Sequence, residues 1–315
     1  METITCDFCG SAEAVPVARQ ADKLHRTTDE LFTIVRCKEC GLHYTNPRPS
    51  AHEIGRYYAE NYAFHFAPSK LRRLTRVAAT KVANGPLAML ASIVPAVGCR
   101  LVPFVKPDIP DPVRAYYASG GHGALLDIGC GAGASAHFWG ETGALLAYRR
   151  FAEVAGIEVA ARGRETLAAA GIEAWTNLDE VPKERRFGMI RMNWSLEHVH
   201  SPTRYFTFLR ERLEPGGRAV IAVPNYDGLI YRLAPDCVNC RFIFTTSGRS
   251  ISRITQPTTV CVSSTCVPFP ILKCSLRRPK PDCCPNPLYA IPDCGHLAHF
   301  SRRWNNLIAL IGETT

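Results

Sequence analysis

Several absences narrow the reading of this chain. Met1–Gly10 holds no apolar run: Glu2, Cys6, Asp7 and Cys9 stand where a secretory signal would need a hydrophobic core. A reducing, cytosolic setting is therefore expected, in which paired cysteines point to a metal before they point to disulfides. No repeat of solenoid length recurs along the 315 residues, which excludes stacked-repeat architectures. An unbroken membrane-length apolar run is also missing. Pro86–Val105 has 14 apolar residues in 20, but Pro95, Gly98, Arg100 and Pro103 argue against one continuous spanning helix. Positive charge is not spread over the chain either. The net charge is +9, yet residues 237–315 hold nine Lys or Arg against three Asp or Glu, leaving +3 for all the rest. Basicity of that distribution is a poor argument for a nucleic-acid partner.

What is present falls into four textures. Residues 1–50 carry Cys6-Asp7-Phe8-Cys9-Gly10 and Cys37-Lys38-Glu39-Cys40-Gly41, two matched Cys-x2-Cys knuckles each followed by glycine. Four thiolates at that spacing suit a closed tetrahedral zinc site, which leaves no open position for chemistry, so a structural Zn2+ ribbon is expected. Residues 51–120 run from a polar, tyrosine-bearing stretch through a basic one to the interrupted apolar segment. They are expected to form a helical lid or linker.

Residues 121–236 alternate strand and helix signals. Strands are expected at Ala124–Gly129, Val154–Val159, Ile172–Trp175, Gly188–Trp194 and Arg218–Val223. Helices are expected from Ala134 onward, from Ala160 to about Ala170, and after Ser201, which should cap a helix with Pro202 at its first position. Pro215-Gly216-Gly217 should turn the chain into the last of these strands. Such alternation predicts an α/β fold with a doubly wound, Rossmann-like parallel sheet and helices on both faces. Residues 237–315 differ again: they hold 8 of the 14 cysteines and 8 of the 23 prolines, with no strand–helix rhythm.

The strongest chemical signal is Leu125-Leu126-Asp127-Ile128-Gly129-Cys130-Gly131-Ala132-Gly133, an apolar strand running into three glycines at alternate positions. Glycine is needed where backbone turns tightly and must approach a ligand, and in open α/β sheets nucleotide-like cofactors sit at this edge. The spacing is Gly-x-Gly-x-Gly rather than the Gly-x-Gly-x-x-Gly that docks a pyrophosphate. Further on, Val154-Ala155-Gly156-Ile157-Glu158 ends a strand in a carboxylate. Phe187-Gly188-Met189-Ile190-Arg191-Met192-Asn193-Trp194-Ser195-Leu196-Glu197-His198-Val199 forms a third block.

Together, over roughly residues 121–230, these blocks resemble the class I S-adenosylmethionine-dependent methyltransferases. The resemblance implies that Gly129, Gly131 and Gly133 line the cofactor and that Asp127 helps hold its methionine end through the loop. It also implies that Glu158 accepts hydrogen bonds from the ribose hydroxyls and that Asn193 and Trp194 border the cofactor. Glu158 lies 31 residues after Asp127 rather than about 20, so extra length is expected within Leu145–Glu153. His198 is the candidate catalytic base, with a supporting helix-start histidine as the alternative. Related ubiquinone-type enzymes have an acidic metal ligand where this chain has Trp194, which argues against metal-assisted catechol chemistry.

Leu42-His43-Tyr44-Thr45-Asn46-Pro47-Arg48-Pro49, after the second knuckle, is similar to bacterial methyltransferases with an N-terminal ribbon at Cys6, Cys9, Cys37 and Cys40. Several of those modify sugars, lipid-linked compounds or secondary metabolites. The expected activity is thus methyl transfer from S-adenosylmethionine to a small-molecule, sugar or lipid-linked acceptor. An RNA methyltransferase and a non-catalytic remnant are the alternatives. Lys70, Arg72, Arg73, Arg76 and Lys81, before the apolar segment, would allow peripheral contact with the inner membrane surface. For residues 237–315 an out-of-frame origin near codon 237 is expected, leaving the sheet without its closing strands.

Overall fold

In the computed structural model, alternate residues of the central strands separate onto two faces, as period-two burial on both sides of a parallel sheet requires. The structure describes residues 1–22, 28–57, 74–75, 78–79, 81–82, 111–133 and 145–224, with the backbone of three short segments beyond. Four parallel neighbours come first: β4 (Leu125–Ile128), β5 (Val154–Ile157), β6 (Glu173–Trp175) and β7 (Phe187–Asn193). They match the predicted strands to within one or two residues at each end. The fifth, β8 (Leu213–Pro224), starts earlier than expected because the Pro215-Gly216-Gly217 segment forms an irregularity inside its pairing with β7.

The strand order is β10-β11-β8-β7-β4-β5-β6, with β10 (Val260–Ser264) and β11 (Asn306–Gly312) antiparallel at the end. The expectation that the closing strands are missing is therefore corrected. Leu307–Ile311 is an apolar run that pairs residue by residue with Ala219–Val223 and covers the β8 edge. The cysteine and proline content around these two short strands hid them from a reading by rhythm.

Four helices are described: α1 (Pro112–Ala118), α2 (Leu145–Tyr148), α3 (Ala161–Ala169) and α4 (Pro202–Arg212). Leu125, Val154, Met189 and Val220 face α1, α2 and α3 through Val113, Tyr116, Leu145, Tyr148 and Leu167. Leu126, Ile128, Ile157, Ile190 and Met192 face the other way, toward Phe208 and Leu209 of α4. Helices thus lie on both faces, as predicted. The extra length before Glu158 includes α2 and the turn after it. The helix expected from Ala134 lies in residues 134–144, outside the described residues. So do Pro86–Val105 and the cysteines at 237, 240, 266, 274, 283, 284 and 294.

The N-terminal segment forms a second sheet, β1 (Ala14–Ala21), β2 (Leu31–Cys37) and β3 (His43–Thr45), extended by β9 (Phe244–Thr245). It is no separate bead. Cys6, Cys37, Cys40, Leu42 and Tyr44 share one core with Leu126, Ile190, Met192 and Phe208. The ribbon packs on the α4 face of the main sheet. Among the described residues no helix is long and apolar enough to cross a membrane.

Candidate functional site

The glycine loop leaves β4 with Gly129, Gly131 and Gly133 all at positive φ, of 78°, 57° and 70°. L side chains rarely adopt that conformation, so the alternate glycines follow from the backbone path itself. Space is restricted too: a Cβ at Gly129 would collide with the Ser195 Cβ. Ser195 opens the loop after β7, and its hydroxyl donates to the Ile128 carbonyl at 2.6 Å. The ends of β4 and β7 are thereby tied together beneath the loop.

Glu158 is buried beside this loop. Its Oε2 accepts from the Gly131 N–H and its Oε1 from the Ala160 N–H, both at 2.8 Å. Gly163 of α3 lets the helix close over it, since a Cβ there would meet the Glu158 Cγ at 2.7 Å. Gly131 and Glu158, each expected to contact the cofactor, thus meet across a sequence separation of 27.

Asp127 faces the opposite side of β4 from Leu126 and Ile128. Its Oδ2 accepts from Arg191 Nη1 at 2.6 Å, and the two side chains are only 4% and 3% exposed. Arg191 stands directly across from Asp127 in the parallel register of β4 and β7. Its guanidinium also lies 5.6 Å from the Tyr148 ring centre, and the Tyr148 hydroxyl donates to Asp111 at 2.8 Å. Asp111 in turn caps α1 through the Val113 and Arg114 N–H groups. Burial pushes the Asp127 carboxyl above its usual range, and the Arg191 charge opposes that shift. Arg191, Tyr148 and Asp111 were not singled out from sequence. An arginine inside an apolar strand such as Gly188–Asn193 was the available signal, because a buried guanidinium requires a carboxylate.

Beyond β7 the chain takes an unusual path. Trp194 sits at φ 59°, the one non-glycine residue with positive φ among those described, and its N–H donates to the Ala222 carbonyl at 2.9 Å. A bulky residue held there is a strained position of the kind that clusters at functional sites. Asn193, one residue earlier, has a buried side-chain Oδ1 with no partner among the described residues, and Asp127 Oδ1 is likewise unpaired. His198 ends the 3-10 turn Leu196–His198, with its Nε2 3.9 Å from Glu197 Oε1, too far for a hydrogen bond. Glu197 is fully buried, and that burial pushes its carboxyl up to about 8.

The four knuckle cysteines converge, with all four sulfurs within 4.8 Å of one another. Cys6–Cys40 and Cys9–Cys37 sulfurs are 3.5 Å apart. Zn–S bonds of about 2.3 Å would set tetrahedral sulfurs roughly 3.8 Å apart, so the donor set fits the ion. Gly10 and Gly41, at φ 74° and 78°, return their N–H groups to the Cys6 and Cys37 carbonyls. Burial raises the Cys37 thiol, but the Cys40 backbone N–H, the Cys9 thiol and the Glu39 N–H outweigh it and bring it to about 7. Cys6 goes the other way, pushed up to about 11 by burial.

A sheet of order β10-β11-β8-β7-β4-β5-β6, with a glycine loop after β4 and a carboxylate after β5, defines a Rossmann-like cofactor-binding domain of the class I methyltransferase kind. Residues 64–257 match the family described as a methyltransferase domain, and the chain belongs to that family. It is an S-adenosylmethionine-dependent methyltransferase. No curated protein matches it significantly. Similar solved structures include the plantazolicin methyltransferase BpumL with bound S-adenosylhomocysteine, at 12% identity and TM-score 0.42, covering 78% of this chain and 97% of that one. The N-methyltransferase NodS of Bradyrhizobium japonicum WM9 is similar at 15% identity and TM-score 0.38, covering 65% and 93%. A methyltransferase of Mesorhizobium loti follows at 18% identity and TM-score 0.35, covering 48% and 82%.

Proposed function

We propose that this enzyme methylates a small-molecule, sugar or lipid-linked acceptor, with the cofactor seated on the loop Gly129–Gly133 and the Glu158 carboxylate. The observation that carries the cofactor seat is the Glu158–Gly131 bond, which puts a carboxylate on the glycine loop where ribose hydroxyls would donate. The unpaired buried acceptors Asp127 Oδ1 and Asn193 Oδ1, at the ends of two adjacent strands, fit a ligand rich in N–H donors. Bound S-adenosylmethionine supplies a carbon activated by sulfonium. The protein's share is alignment, exclusion of water and, where the acceptor requires it, removal of a proton.

In this reading Trp194 walls the cofactor or acceptor side, and His198 takes the acceptor proton. Cys6, Cys9, Cys37 and Cys40 hold Zn2+ as a structural crosslink of the ribbon. The domain partition follows the four textures: ribbon 1–50, lid or linker 51–120, cofactor domain 121–236, and a C-terminal segment 237–315 that lends β9 to the ribbon sheet and β10 and β11 to the cofactor sheet. The modest charge outside that segment supports a small acceptor over RNA. Pairing of β11 with β8 supports a working domain over a remnant. An out-of-frame origin for residues 237–315 is tested by the coding DNA, and is dropped if no shifted frame restores a strand–helix pattern.

Calorimetric titration with S-adenosylhomocysteine tests the cofactor seat. Micromolar binding, weakened at least tenfold by Glu158→Ala, is expected; equal binding by both proteins would remove Glu158 from the site. Transfer of labelled methyl across a panel of sugars, lipid-linked intermediates and RNA then tests the acceptor class. Labelling of RNA alone would overturn the small-acceptor reading.

A further inference from the structure

The ribbon does more than lie against the α/β domain. Asp7, the second residue of the first knuckle, reaches across 194 residues of chain to the start of α4. Its Oδ1 accepts from the Ser201 hydroxyl and its Oδ2 from the Thr203 N–H, both at 2.9 Å. Ser201 occupies the N-cap position, as the sequence predicted, but its own side chain makes no capping bond. The orphan N–H of the first turn is satisfied from the ribbon instead. Two further ties lie alongside. Arg48 Nη1 donates to the His200 carbonyl at 2.7 Å, and the His200 ring Nε2–H donates to the Pro49 carbonyl at 3.0 Å.

These bonds hold one end of the segment 194–203. The sheet holds the other, through Ser195 Oγ to Ile128 and Trp194 N–H to Ala222. Between the two anchorages lie the buried Leu196 and Glu197 and the half-buried His198. The strained Trp194 conformation needs surroundings that over-determine it, and the far end of its segment is tied to the ribbon.

We propose that Asp7 is a positioning residue for methyl transfer: by capping α4 from the metal knuckle, it fixes the segment 194–203 against the glycine loop. This rests on the reading above that the segment borders the cofactor. The matched methyltransferase domain begins at residue 64, so the device belongs to what this chain adds to that domain. The helix itself does not require Asp7. Ser201 is a good N-cap residue and, released, turns back to bond the first turn. Loss of Asp7 therefore frees the segment without unfolding α4.

The test compares the full-length wild type with Asp7→Ala, Asp7→Asn and Ser201→Ala, with Glu158→Ala as the cofactor-site control. Each is followed by metal content, S-adenosylhomocysteine titration and amide hydrogen exchange of the 194–203 peptide. Asp7→Ala is expected to retain one metal equivalent while binding about tenfold more weakly, with exchange of the peptide accelerated on the order of tenfold. Asp7→Asn should recover to within about threefold of wild type, because asparagine caps as well as aspartate. If Asp7→Ala loses its metal, Ser201→Ala decides with the knuckle untouched, and unchanged exchange there overturns the proposal. Full binding by Asp7→Ala while Glu158→Ala is impaired overturns this inference alone. Absence of binding by the wild type overturns both it and the cofactor-seat reading.

Discussion

Replacing Arg191 by methionine isolates the buried ion pair under the glycine loop. Methionine keeps most of the stem volume and removes the guanidinium. Asp127 then loses its 2.6 Å partner, and its other oxygen already has none among the described residues. Breaking a buried pair from one side costs about 3–5 kcal/mol, and the lost contact with the Tyr148 ring adds roughly 1 kcal/mol. Removing both charges in Asp127→Asn/Arg191→Met leaves no stranded ion, so the double variant should recover to within about 2 kcal/mol of wild type. Urea denaturation of the four proteins measures the cycle, and a coupling of at least about 2 kcal/mol is expected. The pH dependence has a definite sign. With the cation gone, burial raises the Asp127 carboxyl further above its unfolded value. Stability is then retained at low pH and lost as pH rises through the raised value, so Arg191→Met should approach wild type in acid and fall away from it in base. A single variant within about 1 kcal/mol of wild type, or a double variant no better than the single, would refute this account of the pair.

Other outcomes follow from the same geometry. Gly129→Ala should cost on the order of 2–4 kcal/mol and abolish S-adenosylhomocysteine binding, because φ is 78° and Ser195 occupies the Cβ position. Gly171→Ala, with φ 68° but open space, should cost only about 1 kcal/mol in the same denaturation assay. Glu197 is held protonated by burial, with its folded value near 8 against an ordinary 4.5. The stability it contributes is full below about pH 4.5 and is lost as pH rises through about 8, a swing on the order of 5 kcal/mol. Glu197→Gln should flatten that dependence in melting temperatures taken between pH 5 and 9; an unchanged slope would show the carboxyl ionised throughout. Thiol-specific displacement should release one zinc per chain and lower the melting temperature, whereas Cys9→Ser should release little or none.

Much of this was legible in the amino-acid order. A short apolar run ending in alternate glycines has few conformations open to it, so β4 and its loop were readable to within a residue. Two Cys-x2-Cys-Gly knuckles carry their geometry locally, and the four sulfurs do meet. Strands β5 and β7 and helices α3 and α4 follow from periodicity with glycine and proline punctuation, all of it short-range information. The closing strands were missed for the complementary reason. Val260–Ser264 and Asn306–Gly312 sit in a Cys/Pro-rich setting without helix alternation, and they join the sheet because β8 offers an edge to β11 and β11 an edge to β10.

Tertiary structure alone decided who meets whom across the sheet. Asp127 and Arg191 are 64 residues apart, and only the register of β4 against β7 sets them side by side. Asp7 sits in the knuckle turn and Thr203 in α4, and only packing of the ribbon on the α4 face turns a knuckle residue into a helix cap. Local propensity determines an element from its own residues. A buried charge or an orphan N–H instead takes whichever partner the fold brings within about 3 Å, and no spacing in the chain encodes that distance.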